Sequence, residues 1–504
     1  MNPTLTNAQN PLIAALWALA LLAVCSTALR AQPSRTITRL DRNRKIAPQQ
    51  LERKRMLEKM DKEKLCSRAT AVTVQSDDLL KVPKHVGELA GVSIAKTPPA
   101  LDFVVVPLDP RFFYQRSEDD QDSGLWTVWG QGTYYAGNGK LYGAVGNHVF
   151  YDSRLHIFEY CPTRKTIRTF RELNSAAGLP IDYGDGKIHG ALDFCDGPNM
   201  NFCTYWCEYP EPKEEHYKLG YEGGRLMSFN VNTRRVKDFG VPLKRSSWQY
   251  HKMDTRRGLM FAVGSPLNEF MCYDVRNAKM LYGGQPPQGM RWYERCMIVD
   301  EDTHCAYSSN RAGDDTQVHL IKYDSSRNRF YKLNACVPHI KDAGEGNQIR
   351  AATLRKAKAG WFMCISRWGR IFKFYPHEDR VVDLGSCWPG DPSRLYTTSI
   401  AISPDDKYVY YMPAAHGGAQ NLGAPIVQFN TRTGERKAMA FLFPYLHEKY
   451  GYICGGTFSL SMDETGGRLF IIMNGAFSEW KPDGGDVFGD PSVIVVHIPE
   501  SERP

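Results

Sequence analysis

Seven stretches of the chain share one shape: an apolar run that closes on an aromatic or aliphatic residue and then meets a turn. They read HIFEYCP (156–162), LMSFNVN (226–232), FMCYDVR (270–276), LIKYDSS (320–326), IFKFYPH (371–377), IVQFNTR (426–432) and VVHIPES (495–501). The first six each lead through a polar turn into a further short strand, as in NVNTRRVKDFG (230–240) and NTRTGERKAMA (430–440). Each copy also follows a hairpin, such as QYHKMDTRRGLMFAVG (249–264) or SIAISPDDKYVYYMP (399–413). Short apolar runs bounded by Gly, Pro, Asn and Asp are the pattern of strands and turns. Each unit therefore holds four short strands, at roughly 40–55 residues per unit, and can cover its apolar faces only by stacking on its neighbours.

That period is the period of a propeller blade, so residues 101–504 are expected to form an all-β, seven-bladed β-propeller. The seventh copy ends the chain with SVIVVHIP (492–499), and no fourth strand follows it. The run LDFVVVPL (101–108) can supply that strand, which closes the ring and removes the exposed edges. No Trp-Asp dipeptide occurs, and TRTGE (431–435) is similar to the turn of quinone-binding propellers.

Residues 1–31 read as a signal peptide: an uncharged apolar run from Leu12 to Val24, then small residues, with Ser26 and Ala28 placed for cleavage. Export to the periplasm or the extracellular space is expected, an uncleaved membrane anchor being the alternative. Residues 32–70 form a basic, helix-prone spacer and residues 71–100 a linker. The net charge of +8 sits almost entirely at this end, since residues 32–70 hold 12 Lys and Arg against 5 Asp and Glu. Residues 71–504 are close to neutral, which argues against a nucleic-acid surface there. No later stretch reaches membrane-spanning length, and a monomer is expected. Of the 13 Cys, one lies in the signal, and Cys195 and Cys203 flank a single hairpin turn where a disulfide would fit. A zinc site at Cys195, Cys203 and Cys207 is the sharper alternative, though the spacing is not diagnostic.

The stretch GDGKIHGALDF (184–194) places His189 near the start of an innermost strand. Aligning the seven hairpins on their turns puts Gly130, His189, Trp248, Glu294, Arg350, Thr397 and Thr457 at one shared position, where ligand sites of propellers open. The matching end of the second strand carries Asn147, Cys207, Ser265, Arg311, Arg367, Ala414 and Asn474, with His148 and His416 just beyond. Tyr293 adjoins Glu294. Arginine presents a planar fork that matches a carboxylate or sulfate, so this constellation predicts an anion site. Structural readings stand beside it: His189 as a packed core histidine, Arg311 and Arg367 as partners of loop carboxylates, Tyr293 as core.

A mouth lined by His, Tyr and Arg resembles that of propeller-type polysaccharide lyases, the ulvan and oligogalacturonate lyases. The resemblance lies in fold and residue types rather than in a shared motif. It implies a β-elimination on an acidic polysaccharide, with His189 as base, Tyr293 as acid, and Arg350 with Arg367 neutralising the uronate carboxylate. Arg311, Glu294, His148 and His416 would complete the ligand-binding set. A divalent cation held by His148, His189 and His416 stays open, without any supporting His spacing. The competing expectation is a non-catalytic propeller that binds a glycan or a protein through the same face.

Overall fold

The apolar runs fold as the inner strands of seven antiparallel sheets, because an inner strand is covered on both faces and at both edges. Leu259–Ser265 is buried along its whole length, whereas the outermost strand of the same sheet, Lys279–Gly284, buries none of its residues. The computed structural model describes residues 70–107, 126–147, 155–170, 172–180, 183–207, 212–311, 317–339, 346–390, 395–480 and 485–503. The expected signal segment and nearly all of the spacer lie outside these. Among the described residues no helix is long and apolar enough to cross a membrane.

The sheets are the blades of a seven-bladed β-propeller, running from the innermost strand outward in chain order except where strands from residues 72–105 join the outer edges of blades six and seven. Blade two departs from the others. Its inner hairpin breaks into Asp185–Lys187 with Tyr205–Trp206 at one end and Asp193–Phe194 with Asn199–Cys203 at the other.

The recurrent Asn or Asp after the aromatic residue has a local cause. Its side chain caps the turn between the third and fourth strands: Asn230 Oδ1 accepts from the amides of Asn232 and Thr233, Asp274 Oδ1 from Arg276 and Asn277, and Asn430 Oδ1 from Arg432 and Thr433, all at 2.9–3.2 Å. The same turns place Lys165, Arg234, Ala278, Asn328, Asp379 and Gly434 in the left-handed region, with φ between 46° and 77°.

The strand Ala100–Val105 closes the ring. It pairs antiparallel with Ser492–His497, from Ala100 opposite His497 to Val105 opposite Ser492. Residues 71–100 are more than a linker, since Val72–Val74 adds a fifth strand beyond Ala100–Val105 and Val92–Ile94 pairs in parallel with the outer strand Arg436–Phe441 of blade six. Three-residue strands leave too short a run to stand out in the sequence. Asp102 ties the seam together: its carboxylate takes bonds from His497 Nε2 (2.8 Å), Thr73 Oγ1 (2.6 Å) and the Lys165 ammonium of blade one (2.9 Å).

Cys195 and Cys203 are free thiols, as are the other described cysteines. The hairpin register pairs Met200 with Phe194, which sets Cys195 against Asn199 and leaves Cys203 at the far end of its strand. Flanking a turn in sequence is therefore not facing across it.

Candidate functional site

All seven blades contribute to a narrow cavity at the entrance of the central channel. Its wall includes Trp129 and Gln131, His189, Tyr250, Arg295, Arg350, Thr398 with Ser399, and Phe458. The cavity measures about 20 Å³, room for roughly one water. It can take the charged end of a ligand and excludes a sugar ring.

Bulges in the inner strands decide which side chains reach this wall. The register slips between Trp248 and Tyr250, between Ile349 and Ala351, and between Thr457 and Ser459, so Gln249, Arg350 and Phe458 are extra residues with no partner opposite. A one-residue slip reverses which face a side chain occupies. His189 and Arg350 line the cavity, while the other five residues aligned with them do not. Trp248 is core, its indole bonded to Gly224 O, and Thr397 and Thr457 turn their hydroxyls to backbone carbonyls. Glu294 pairs with Arg311 on the rim. In blades four, six and seven the cavity residue sits one position nearer the turn: Arg295, Thr398 and Phe458.

The structure gathers Arg295, Arg350 and Arg367 at this entrance. Arg350 donates to Arg295 O (3.2 Å), and its guanidinium lies over the rings of Tyr396 (4.7 Å) and Phe458 (5.4 Å). Arg367 stands over Tyr396 at 6.0 Å. Gln249 Oε1, in the orientation that satisfies both groups, accepts from Arg295 Nε (3.1 Å) and Nη2 (2.9 Å). The Nε atoms of Arg350 and Arg367 are buried without a hydrogen-bond partner in the structure. Among the described residues none of these three arginines pairs with a carboxylate. Arg311 differs, its charge being met by Glu294.

Aromatic rings complete the entrance. His189, only 7% exposed, stacks on Trp129 at 5.6 Å and leans on Tyr205 at 4.7 Å, and the Lys187 ammonium lies 5.5 Å from the Trp129 ring. Gly190 follows because the ring of His251 occupies the place a Cβ would take, 2.4 Å away. His416 meets Trp129, Tyr396 and Phe458 at 5.1–5.8 Å, and its Nδ1 is 3.1 Å from Asp486. His148 lies outside the described residues, and no group of three His, Cys, Asp or Glu able to hold a metal occurs among those described.

Two tyrosines lie close to the arginines and titrate in opposite directions. Tyr293 packs in the core, away from the cavity wall, with Ile298, Leu320 and Ile349. Burial, helped by the charge of Tyr396, pushes its phenol well above the ordinary tyrosine range despite the arginines. For Tyr396 burial also acts upward, but the charges of Arg350 and Arg295, a hydrogen bond from Arg350 and the charge of Arg367 outweigh it and hold the phenol below its usual value. The sequence analysis passed over Tyr396, although it stands immediately before Thr397 as Tyr293 stands before Glu294.

No protein-family model matches the chain, and no curated protein matches it. Solved structures similar to it include U3-55K (10% identity, 70% of this chain and 91% of that one, TM-score 0.41). The RRP9 WD40 repeats (9%, 82% and 100%, 0.44) and the Kuenenia stuttgartiensis hydrazine synthase (10%, 71% and 96%, 0.44) are also similar. With every TM-score below 0.5, these likenesses carry nothing about function.

Proposed function

We propose that this propeller binds an anionic ligand at the mouth of its central channel, its class being an acidic glycan or another carboxylated small molecule. The observation behind this reading is the group Arg295, Arg350 and Arg367, which brings three cations together without a carboxylate among the described residues. Concentrating like charges beneath aromatic rings costs free energy unless an anion meets them. The size of the cavity supports a mode in which the carboxylate enters and the rest of the ligand lies on the face.

A catalytic version, β-elimination by a polysaccharide lyase, is supported by His189 lining the same cavity as Arg350. The test is a screen of the purified protein against acidic polysaccharides, following binding and the ultraviolet absorbance of an unsaturated product. Arg350→Ala should weaken binding by a few kcal/mol, as removal of a desolvated charge partner does. In a lyase, His189→Ala should lower turnover about 10²-fold and leave binding intact. If neither variant changes the binding or turnover of any acidic glycan, His189 is a packed core residue and the reading fails.

A further inference from the structure

Among the described residues, the three arginines have within reach a group at the mouth that can carry negative charge. Tyr396 lies under the guanidinium of Arg350 at 4.7 Å and that of Arg367 at 6.0 Å. We propose that Tyr396 is the proton-exchanging group of the mouth: the arginines that would hold a ligand's anion hold the Tyr396 oxygen in the ligand-free protein, and an anion settling on them returns a proton to it. This rests on the anion-binding reading and gives that site its pH dependence.

Among the described residues, cations outnumber carboxylates around Tyr396. Arg295 and the buried Tyr293 face it from blade four, and Arg350 and Arg367 from blade five. His416 stands edge-on to its ring at 5.1 Å and 89°, with Asp486 on the far side of that imidazole. The Glu294 carboxylate is engaged by Arg311. The downward shift of the Tyr396 phenol agrees with this arrangement. Once a ligand carboxylate occupies the guanidiniums, their charge is shared, a phenolate beside it meets a like charge, and the O–H bond re-forms with a proton from solvent or from the ligand. The ligand's charge then replaces that of the phenolate.

Ligand-free protein supplies the first test. An alkaline titration followed by phenolate absorbance should show one tyrosine ionising below the ordinary value of ~10. That step should be absent in Tyr396→Phe and shifted upward in Arg367→Gln. Calorimetry with a galacturonate trimer in buffers of differing ionisation enthalpy is the second test. Above the Tyr396 midpoint, binding should take up close to one proton, and affinity should fall roughly tenfold per pH unit. In Tyr396→Phe, proton uptake should vanish and affinity should be flat across that range. A titration that Tyr396→Phe leaves unchanged, or binding without proton uptake, overturns the assignment. Failure of the trimer and of every other acidic glycan to bind, with the low-titrating phenol present, overturns the function reading and the coupling with it.

Discussion

Asp102 and Asp185 are both buried carboxyls, and their neighbours move them in opposite directions. Burial favours the neutral form of Asp102, but bonds from His497, Thr73 and Lys165 outweigh it and bring the pKa down to about 2. Its stabilisation is therefore complete above the unfolded value of ~3.9 and is lost as pH falls through about 2. Asp102→Asn should cost about 2 kcal/mol at neutral pH, read by urea denaturation. Asp185 has one firm donor, Thr204 Oγ1 at 2.5 Å, and burial raises it to about 7. Here stability is complete below ~3.9 and is lost as pH rises through 7, so Asp185→Asn should be more stable than the parent at pH 8 and lose that advantage at pH 5. Gly434 has open space around it but a φ of 77°, so Gly434→Ala should lower stability by about 1 kcal/mol through the backbone alone. Single-residue legibility at the site followed the same logic. His189 and Arg350 were reachable from spacing, whereas Phe458 was not, because the register slip between Thr457 and Ser459 leaves no mark in composition, and Arg295 was not, because it precedes the inner strand Ile298–Asp300.

At the level of elements, the repeat was readable because four of the copies carry their own turn cap, and an aromatic strand ending in Asn or Asp specifies the turn that follows it. The closing strand was also readable, since LDFVVVPL is a strongly apolar run that precedes the first repeat. The strands Val72–Val74 and Val92–Ile94 were not, being too short and too exposed to show a period. Their position makes a truncation series informative. A chain beginning at Thr70 keeps both of them and should melt cooperatively, as followed by circular dichroism. A chain beginning at 108 loses Ala100–Val105, which opens the edge of Ser492–His497, and should melt non-cooperatively or aggregate.

Across the whole molecule, a polar network beside the cavity links blades one, six and seven. Gln131 Nε2 donates to Leu460 O (2.8 Å), Ser399 Oγ donates to Gln131 Oε1 (2.6 Å), and Leu460 N donates to Ser399 Oγ (2.9 Å). The basic residues lie before the ring in sequence, and mass spectrometry of protein recovered from culture should show loss of the first ~28–31 residues if the apolar leader is cleaved. Intact Met1 in a membrane fraction would identify an anchor instead. The seam has a consequence in time as well as in space. Ala100–Val105 is among the first ordered segments made and Ser492–His497 among the last, so throughout synthesis the opening strand waits for a partner some four hundred residues away. A nascent chain stalled before its final turn offers that strand to the tail of any finished copy nearby, and two chains trading tails would each be complete without being separate.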